Sequence, residues 1–154
     1  MTNRSWPDLA GRIEGGFHVL PVRVYYEDTD FSGAVYHANY LKFCERGRSD
    51  VLRLLGIDQR ARWEGDARLA FVVTRLCCAF LRPAGVDDLL EVETRLQRLT
   101  GVRLDIDQRV MREGDRLFEA EVTVALVGRD GKPARIPADI ASALARLTVP
   151  VTRS

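Results

Sequence analysis

Residues that could carry out chemistry on a carbonyl group are concentrated between Tyr25 and Tyr40, in the segment YYEDTDFSGAVYHANY. A strand-like approach ends in three acidic residues, the last of which is Asp30. A Ser-Gly pair and then His37 follow, and a helical pattern begins next to that histidine. A carboxylate, a glycine turn and a helix N-terminus therefore converge within about ten residues, and together they can attack or hydrate a carbonyl carbon and polarise its oxygen.

Asp30 is the candidate catalytic carboxylate, with Gly33 as the turn residue beside it. The carboxylate could act as a nucleophile or as a general base. A glycine at position 33 would let the backbone come close to a substrate. From the spacing alone, a helix-capping or turn-stabilising role for Asp30 is the simpler interpretation.

His37 is the second candidate, because it stands at the predicted start of the helix. It could position the carboxylate, orient a water molecule or protonate a leaving group, and it could equally be a polar residue of the first helical turn. Tyr36, Asn39 and Tyr40 could line a substrate channel, although core packing explains Tyr40 equally well. His18, at the start of the first predicted strand, is interpreted as an ordinary surface residue.

The periodicity of apolar residues predicts one strand, one long helix and then four more strands. The strands are predicted at 17–26, 68–81, 90–96, 102–110 and 118–126, and the helix at 38–55. Tight turns join the later strands, which requires antiparallel pairing, and one apolar helix against an antiparallel sheet is an α+β domain. The segment 70–81 carries apolar residues on both faces, which favours burial against a second copy in a homodimer.

Size and composition indicate a single domain at 17–150 that follows a flexible N-terminal leader at 1–16. The net charge of +1 gives no general attraction to nucleic acid, and no apolar run is long enough for an integral membrane segment. The leader lacks an apolar signal core, so a cytoplasmic protein is expected.

The three cysteines Cys44, Cys77 and Cys78 lack the spacing of a zinc site, and neither a metal nor another cofactor is expected. A Cys44–His37 nucleophile pair is disfavoured, because a buried cysteine usually behaves as a small hydrophobic residue.

The segment VRVYYEDTDFSGAVYHANYLKFCERGR at 22–48 resembles a motif of the hotdog-fold thioesterases. It is most similar to the acyl-CoA thioesterases associated with the bacterial Tol–Pal system, and it also resembles the 4-hydroxybenzoyl-CoA thioesterases. The resemblance continues in AFVV at 70–73, in PA at 83–84, in DDLL at 87–90 and in QR at 108–109. It covers nearly the whole domain, from Val19 to Leu147.

The resemblance implies a hotdog fold, with a five-stranded antiparallel sheet wrapped around one long central helix. It also implies a homodimer, often paired into a tetramer, with active sites at the dimer interface. The catalytic carboxylate of the family falls on Asp30 and its histidine on His37, while the helix N-terminus that polarises the thioester carbonyl falls near Tyr36. Phe31, Ser32 and Ala34 depart from the family pattern, and the bulk of Phe31 could narrow the acyl pocket.

The implied function is hydrolysis of acyl-CoA, or of an acyl chain on an acyl carrier protein, to the free carboxylic acid. Two alternatives remain at this stage. One is a hydratase or dehydratase of acyl thioesters on the same fold, although the dehydratase segment HFPxxPxxPG is absent. The other is a module that binds acyl groups or acyl carrier protein without turnover.

Overall fold

A six-stranded antiparallel sheet forms the framework of the protein. The computed structural model describes residues 9–147. The strands are β1 (Arg12–Glu14), β2 (Phe17–Arg23), β3 (Ala70–Phe80), β4 (Leu89–Leu99), β5 (Arg103–Arg112) and β6 (Asp115–Val127). Their order in the sheet is β1-β2-β4-β5-β6-β3, so β1 and β3 are the two edges.

Three α-helices accompany the sheet within residues 9–147. They are α1 (His37–Leu54), α2 (Gln59–Glu64) and α3 (Ala138–Leu144), and single 3-10 turns occupy Tyr26–Asp28 and Ala145–Leu147. The long helix α1 packs on β2, β4 and β5 through a stripe that includes the fully buried Phe43 and Cys44. Gly47 makes the approach possible, because a Cβ there would lie 3.1 Å from side-chain atoms of Val92 and Thr94 on β4.

The alternation of apolar and polar residues explains the strands. In β6, inward residues such as Phe118, Val122 and Leu126 are buried, while the outward residues that alternate with the inward ones, such as Glu121, are more accessible. Glu113 and Gly114 join β5 to β6 with φ values of 49° and 84°, the backbone of a two-residue hairpin turn. The predicted α+β class and the long helix against an antiparallel sheet are confirmed.

Two details of the prediction are wrong. The sheet has six strands rather than five, because β1 pairs with β2 through partners such as Ile13 and His18. This strand lies inside the predicted flexible leader, whose first eight residues fall outside the described part of the chain. The first long strand also ends at Arg23, and Tyr26, with 85% of its surface exposed, begins a 3-10 turn instead of continuing the buried face.

The interpretation of His18 as a surface residue is also wrong. Its side chain is fully buried, and its Nε2 lies 2.6 Å from Oδ2 of Asp50 on α1. The same carboxylate oxygen accepts a hydrogen bond of 2.8 Å from the backbone amide of Gly11. This buried pair therefore ties β1 and β2 to the central helix.

No helix between residues 9 and 147 combines the length and the hydropathy needed to cross a membrane.

Candidate active site

A tight loop at 29–35 carries the candidate carboxylate. Thr29 and Val35 form a β-bridge across its base, and the amide of Asp30 donates to the carbonyl of Ala34 at 2.9 Å. Gly33 has a φ of +83°, and a Cβ there would meet nothing within 4 Å. Glycine is therefore required by the left-handed backbone conformation rather than by lack of space.

The Asp30 side chain is held from one side only. Its Oδ1 accepts the backbone amide of Ser32 at 2.8 Å and the Ser32 hydroxyl at 2.5 Å. These two hydrogen bonds stabilise the ionised form and hold the pKa of Asp30 below its ordinary value, with a smaller contribution from the charge of His37. The carboxyl is thus prepared to act as an anion, the form that a nucleophile or general base requires.

Helix α1 begins immediately beyond this loop. His37 is its first residue, and Tyr36 is the N-cap, with an extended backbone at φ −60° and ψ 132°. The amide of Asn39 already donates to the carbonyl of Tyr36 at 2.8 Å. The amides of His37 and Ala38 precede it and have no carbonyl of a preceding turn to bond, so they are the ones available to an oxygen that carries negative charge. The imidazole of His37 is exposed at the same helix end, with its ring centroid 4.5 Å from that of Tyr36.

Asp28 and Asn39 fix the orientation of this helix end. The carbonyl of Asp28 accepts the amide of Tyr36 at 2.9 Å and the side-chain Nδ2 of Asn39 at 2.8 Å. The carboxylate of Asp28 in turn accepts the amide of Tyr25 at 2.8 Å. Asn39, which is buried, therefore positions the loop from behind, and its amide nitrogen is already engaged within the protein.

A second loop, at 82–88, supports the first. Val35 donates its amide to the carbonyl of Ala84 at 2.8 Å, and the amide of Ala84 donates to the Tyr40 hydroxyl at 3.0 Å. Asp88 anchors this loop by accepting the amide of Gly85 and Nη1 of Arg112, each at 2.8 Å. Those contacts also hold the pKa of Asp88 below its ordinary value, the Gly85 hydrogen bond being the larger cause.

Tyr40 is mainly a core residue. Only 4% of its surface is exposed, and its ring stacks on Phe118 with centroids 5.2 Å apart. Its edge nevertheless reaches an open depression of about 290 Å³ that is also lined by His37, Phe80 and Pro83. The depression has apolar walls, and half of the Phe80 side chain is exposed there. A thioester or other acyl group could rest against this wall beside the helix end.

A more enclosed apolar cavity lies away from this site. It has a volume of about 80 Å³, and it is bounded by Glu45, Leu52, Phe71 and Leu104 between α1 and the sheet. The nearest of these helical residues is eight positions beyond His37, which is about 12 Å along the helix axis. Of the two, only the open depression is lined by His37 at the start of α1.

The structure brings Asp30, Gly33, Tyr36 and His37 to one end of α1. Asn39 and Tyr40 lie directly behind that end, within the support of the loops. Sequence reasoning did not give roles to Ser32, Asp88 and Arg112. The Ser32 contact had a local signal, since Asp side chains commonly accept hydrogen bonds from the residue two positions on.

Cys44 is excluded as a nucleophile by its surroundings. It belongs to the buried stripe of α1 that packs on the sheet, and burial raises the pKa of its thiol to about 12. A thiol with that pKa is protonated at neutral pH and is not nucleophilic.

The comparison with protein families gives a match to the thioesterase superfamily over residues 32–119, which is more than half of the chain. An acyl-CoA thioesterase YbgC of Haemophilus influenzae is 43% identical over 136 residues, which cover 88% of this chain and 98% of the relative. An acyl-CoA thioester hydrolase YbgC of Escherichia coli O157:H7 is also 43% identical, over 78% of this chain and 90% of the relative.

Solved structures agree with these sequence matches. The crystal structure of a probable thioesterase from Bartonella henselae is 45% identical and superimposes with a TM-score of 0.76, over 79% of this chain and 99% of that chain. The six-stranded sheet with its long helix is therefore the hotdog arrangement of these thioesterases. On the family match, the extent of identity and the shared architecture, the chain belongs to the thioesterase superfamily.

Proposed function

We propose that this protein hydrolyses the thioester bond of acyl-CoA, releasing a carboxylic acid and CoA. The observation that carries the proposal is the placement of an anionic, exposed Asp30 carboxylate beside the N-terminus of an 18-residue helix. The family membership and the printed names of the relatives, acyl-CoA thioesterase and acyl-CoA thioester hydrolase, support the choice of substrate class.

The chemistry requires a nucleophile on the carbonyl carbon and a donor on the carbonyl oxygen. The free Oδ2 of Asp30 either attacks the carbonyl, giving a mixed anhydride that water then hydrolyses, or takes a proton from an attacking water. The amides at the start of α1 stabilise the oxyanion, a contribution of about 3–4 kcal/mol where one such donor has been tested. His37, at the same helix end, can donate a proton to the departing thiolate.

Tyr36 and the backbone at Gly33 are proposed to contact the substrate, since both lie at the mouth of the site. Asn39 is proposed to act on substrate through the loop that it holds, because its side-chain Nδ2 is bonded within the protein. The Tyr40 hydroxyl accepts the amide of Ala84, so Tyr40 is proposed to contact substrate through its ring edge at the depression.

The active assembly is proposed to be a homodimer formed by pairing of two β3 strands. β3 is an 11-residue edge strand that pairs with β6 on one side only, and its exposed residues include Val72 and Val73, each 41% accessible. A long, apolar, unpaired edge is a template for a second strand. Phe80 at the end of β3 borders the depression beside His37, so such a dimer would place each site next to the partner chain.

We also propose a cytoplasmic location. There, acyl carrier protein could replace CoA as the carrier of the acyl chain. The same location would allow the Tol–Pal association that the motif implies. The three cysteines support it, because all of them are free thiols, as is usual in a reducing compartment.

The test is release of thiol from acyl thioesters by the purified protein. Acyl-CoA substrates of short, long and aromatic acyl chains, and an acylated carrier protein, are assayed with the wild-type protein and with Asp30→Asn. We expect wild-type turnover on at least one of these substrates and none above background with Asp30→Asn. Thiol release that is equal in the two proteins would contradict the proposal. Addition of water to enoyl-CoA without thiol release would indicate a hydratase, and tight binding without turnover would indicate a binding module.

A further inference from the structure

The Asp30 carboxylate has two chemically different oxygens in this structure. Oδ1 receives both hydrogen bonds that Ser32 can offer it, from the amide at 2.8 Å and from the hydroxyl at 2.5 Å. Among the described residues 9–147, no hydrogen bond to Oδ2 is present. Because Asp30 is exposed and unpacked, these two bonds are what limit the rotation of its carboxylate.

Ser32 is itself fixed by the loop. A serine hydroxyl has one proton to donate, and that proton is directed to Asp30, so its oxygen is left as an acceptor. The amide of Ala34 lies 3.4 Å from this oxygen and points toward it. Gly33, between Ser32 and Ala34, has a left-handed backbone conformation that completes this turn, and its own amide donates to the carbonyl of Asp30 at 3.0 Å.

We propose that Ser32 is a positioning residue, whose hydroxyl holds Oδ1 of Asp30 so that Oδ2 alone is presented to the thioester or to the attacking water. The inference rests on the proposed function, since it assigns a role to the neighbour of the proposed catalytic group. It is specific to this chain, because a residue without a hydroxyl at position 32 would leave the backbone amide as the only restraint on the carboxylate.

The same contact has a consequence for pH dependence. Both Ser32 hydrogen bonds lower the pKa of Asp30, the hydroxyl contributing the larger part. Loss of the hydroxyl therefore raises the pKa toward its ordinary value, and a larger fraction of Asp30 becomes protonated at mildly acidic pH. Since only the ionised carboxylate reacts, the acidic limb of the rate profile must move to higher pH.

The experiment compares the pH profiles of kcat and kcat/KM for wild type, Ser32→Ala, Ser32→Thr and Asp30→Asn on one acyl-CoA substrate. For Ser32→Ala we expect kcat to fall about threefold to tenfold, with KM changed by less than about twofold. The acidic limb should move to higher pH, and Ser32→Thr, which restores a hydroxyl, should recover both the rate and the profile. Thr100→Ala is the matched control, because Thr100 also accepts turn amides through its hydroxyl but lies in the β4–β5 turn.

Three outcomes would overturn the inference. A Ser32→Ala profile that superimposes on the wild-type profile would show that the hydroxyl does not act on Asp30. Ser32→Ala as inactive as Asp30→Asn, at an unchanged unfolding temperature, would make the hydroxyl a reacting group rather than a positioning one. Full activity of Asp30→Asn would refute both the proposed function and the role of Ser32. An inactive Asp30→Asn protein together with a Ser32→Ala protein that behaves like wild type would refute only the role of Ser32.

Discussion

At the scale of single residues, burial separates groups that can react from groups that stabilise. Asp30 and His37 are exposed at the helix end, whereas Cys44, His18 and Asp50 are buried in the interior. The alternation of faces along β2 predicts a buried His18. His18 lies two positions before Leu20 and four before Val22, so its side chain is on their face of the strand rather than on the more accessible face between them. No local sequence pattern predicts Asp50 as the partner of His18, since the two residues are 32 positions apart and come into contact only when α1 packs on the sheet.

Replacement of Cys44 by alanine should leave catalysis intact. The thiol is protonated at neutral pH because burial raises its pKa to about 12, so it takes no part in a nucleophilic step. We expect kcat/KM within about twofold of wild type and a loss of stability of about 1 kcal/mol from the removed sulfur. Steady-state kinetics and urea unfolding measure the two effects. A Cys44→Ala protein as inactive as Asp30→Asn would show instead that the thiol reacts.

Replacement of Asp50 by alanine should be strongly destabilising. It leaves the buried Nε2 of His18 and the amide of Gly11 without their acceptor, and we expect a loss of about 2–4 kcal/mol. The free energy of unfolding in urea gives the value. Glu14→Ala is the control, since Glu14 is an exposed acid of β1 whose ion pair with Arg12 should contribute less than about 1 kcal/mol. Equal effects of the two substitutions would contradict the role given to the buried pair.

At the scale of elements, two loops and one helix end form the site, and their contacts are mostly backbone hydrogen bonds. The loop at 29–35 is bonded to the loop at 82–88 through Val35 and Ala84, and Asp88 secures the second loop to Arg112 of β5. The motif of the sequence therefore supplies the proposed reacting groups, while residues about fifty or more positions later hold the loop that carries them. A substitution in the loop at 82–88 should therefore alter the position of the loop at 29–35.

The contribution of Asp88 to stability should disappear at low pH. Its pKa in the folded protein is depressed, so the stabilisation is complete above the unfolded pKa of about 3.9 and is lost as pH falls through the lower folded value. Asp88→Asn should therefore unfold at a lower temperature than wild type at pH 6, with the gap closing toward pH 3. Asp66→Asn, at an exposed turn, is the control for the loss of a surface carboxylate. A gap of constant size across this range would exclude the linkage.

The sequence predicted the elements well wherever the periodicity was long. The helix at 37–54 and the four later strands have apolar patterns over seven or more residues, and their positions agree with the structure to within a few residues. β1 was missed because three residues, Arg12–Glu14, are too few to show alternation. The site followed from the motif around Asp30, whereas the Asp88–Arg112 contact depends on pairing between distant strands, which periodicity does not specify.

At the scale of the whole molecule, the two edges of the sheet differ in length and in character. β1 closes one edge with three residues, while β3 leaves eleven residues along the other. Short edge strands limit further pairing, and long apolar ones promote it. Phe80, the last residue of β3, lines the depression beside His37, which links the proposed dimer to the proposed site.

Charge placed on β3 should separate the dimer. We expect the double substitution Val72→Arg and Val73→Arg to weaken self-association by at least about tenfold, because arginine side chains on paired edges repel each other and lose solvation. Val102→Arg is the matched control, since Val102 is 47% exposed but lies in the β4–β5 turn. Sedimentation velocity over a concentration series measures the dissociation constants. An unchanged dimer in the double variant would place the interface elsewhere, and a wild-type monomer would refute the dimer itself.

The substitution Asp30→Asn decides whether the Asp30 carboxylate is the reacting group beside the start of α1. The quantity to measure is its turnover number on saturating acyl-CoA, relative to wild type, with His37→Gln and Ser32→Ala measured alongside. We expect a fall of at least about a hundredfold for Asp30→Asn and smaller losses for the other two. A turnover number for Asp30→Asn within a few fold of wild type would show that another group carries out the reaction.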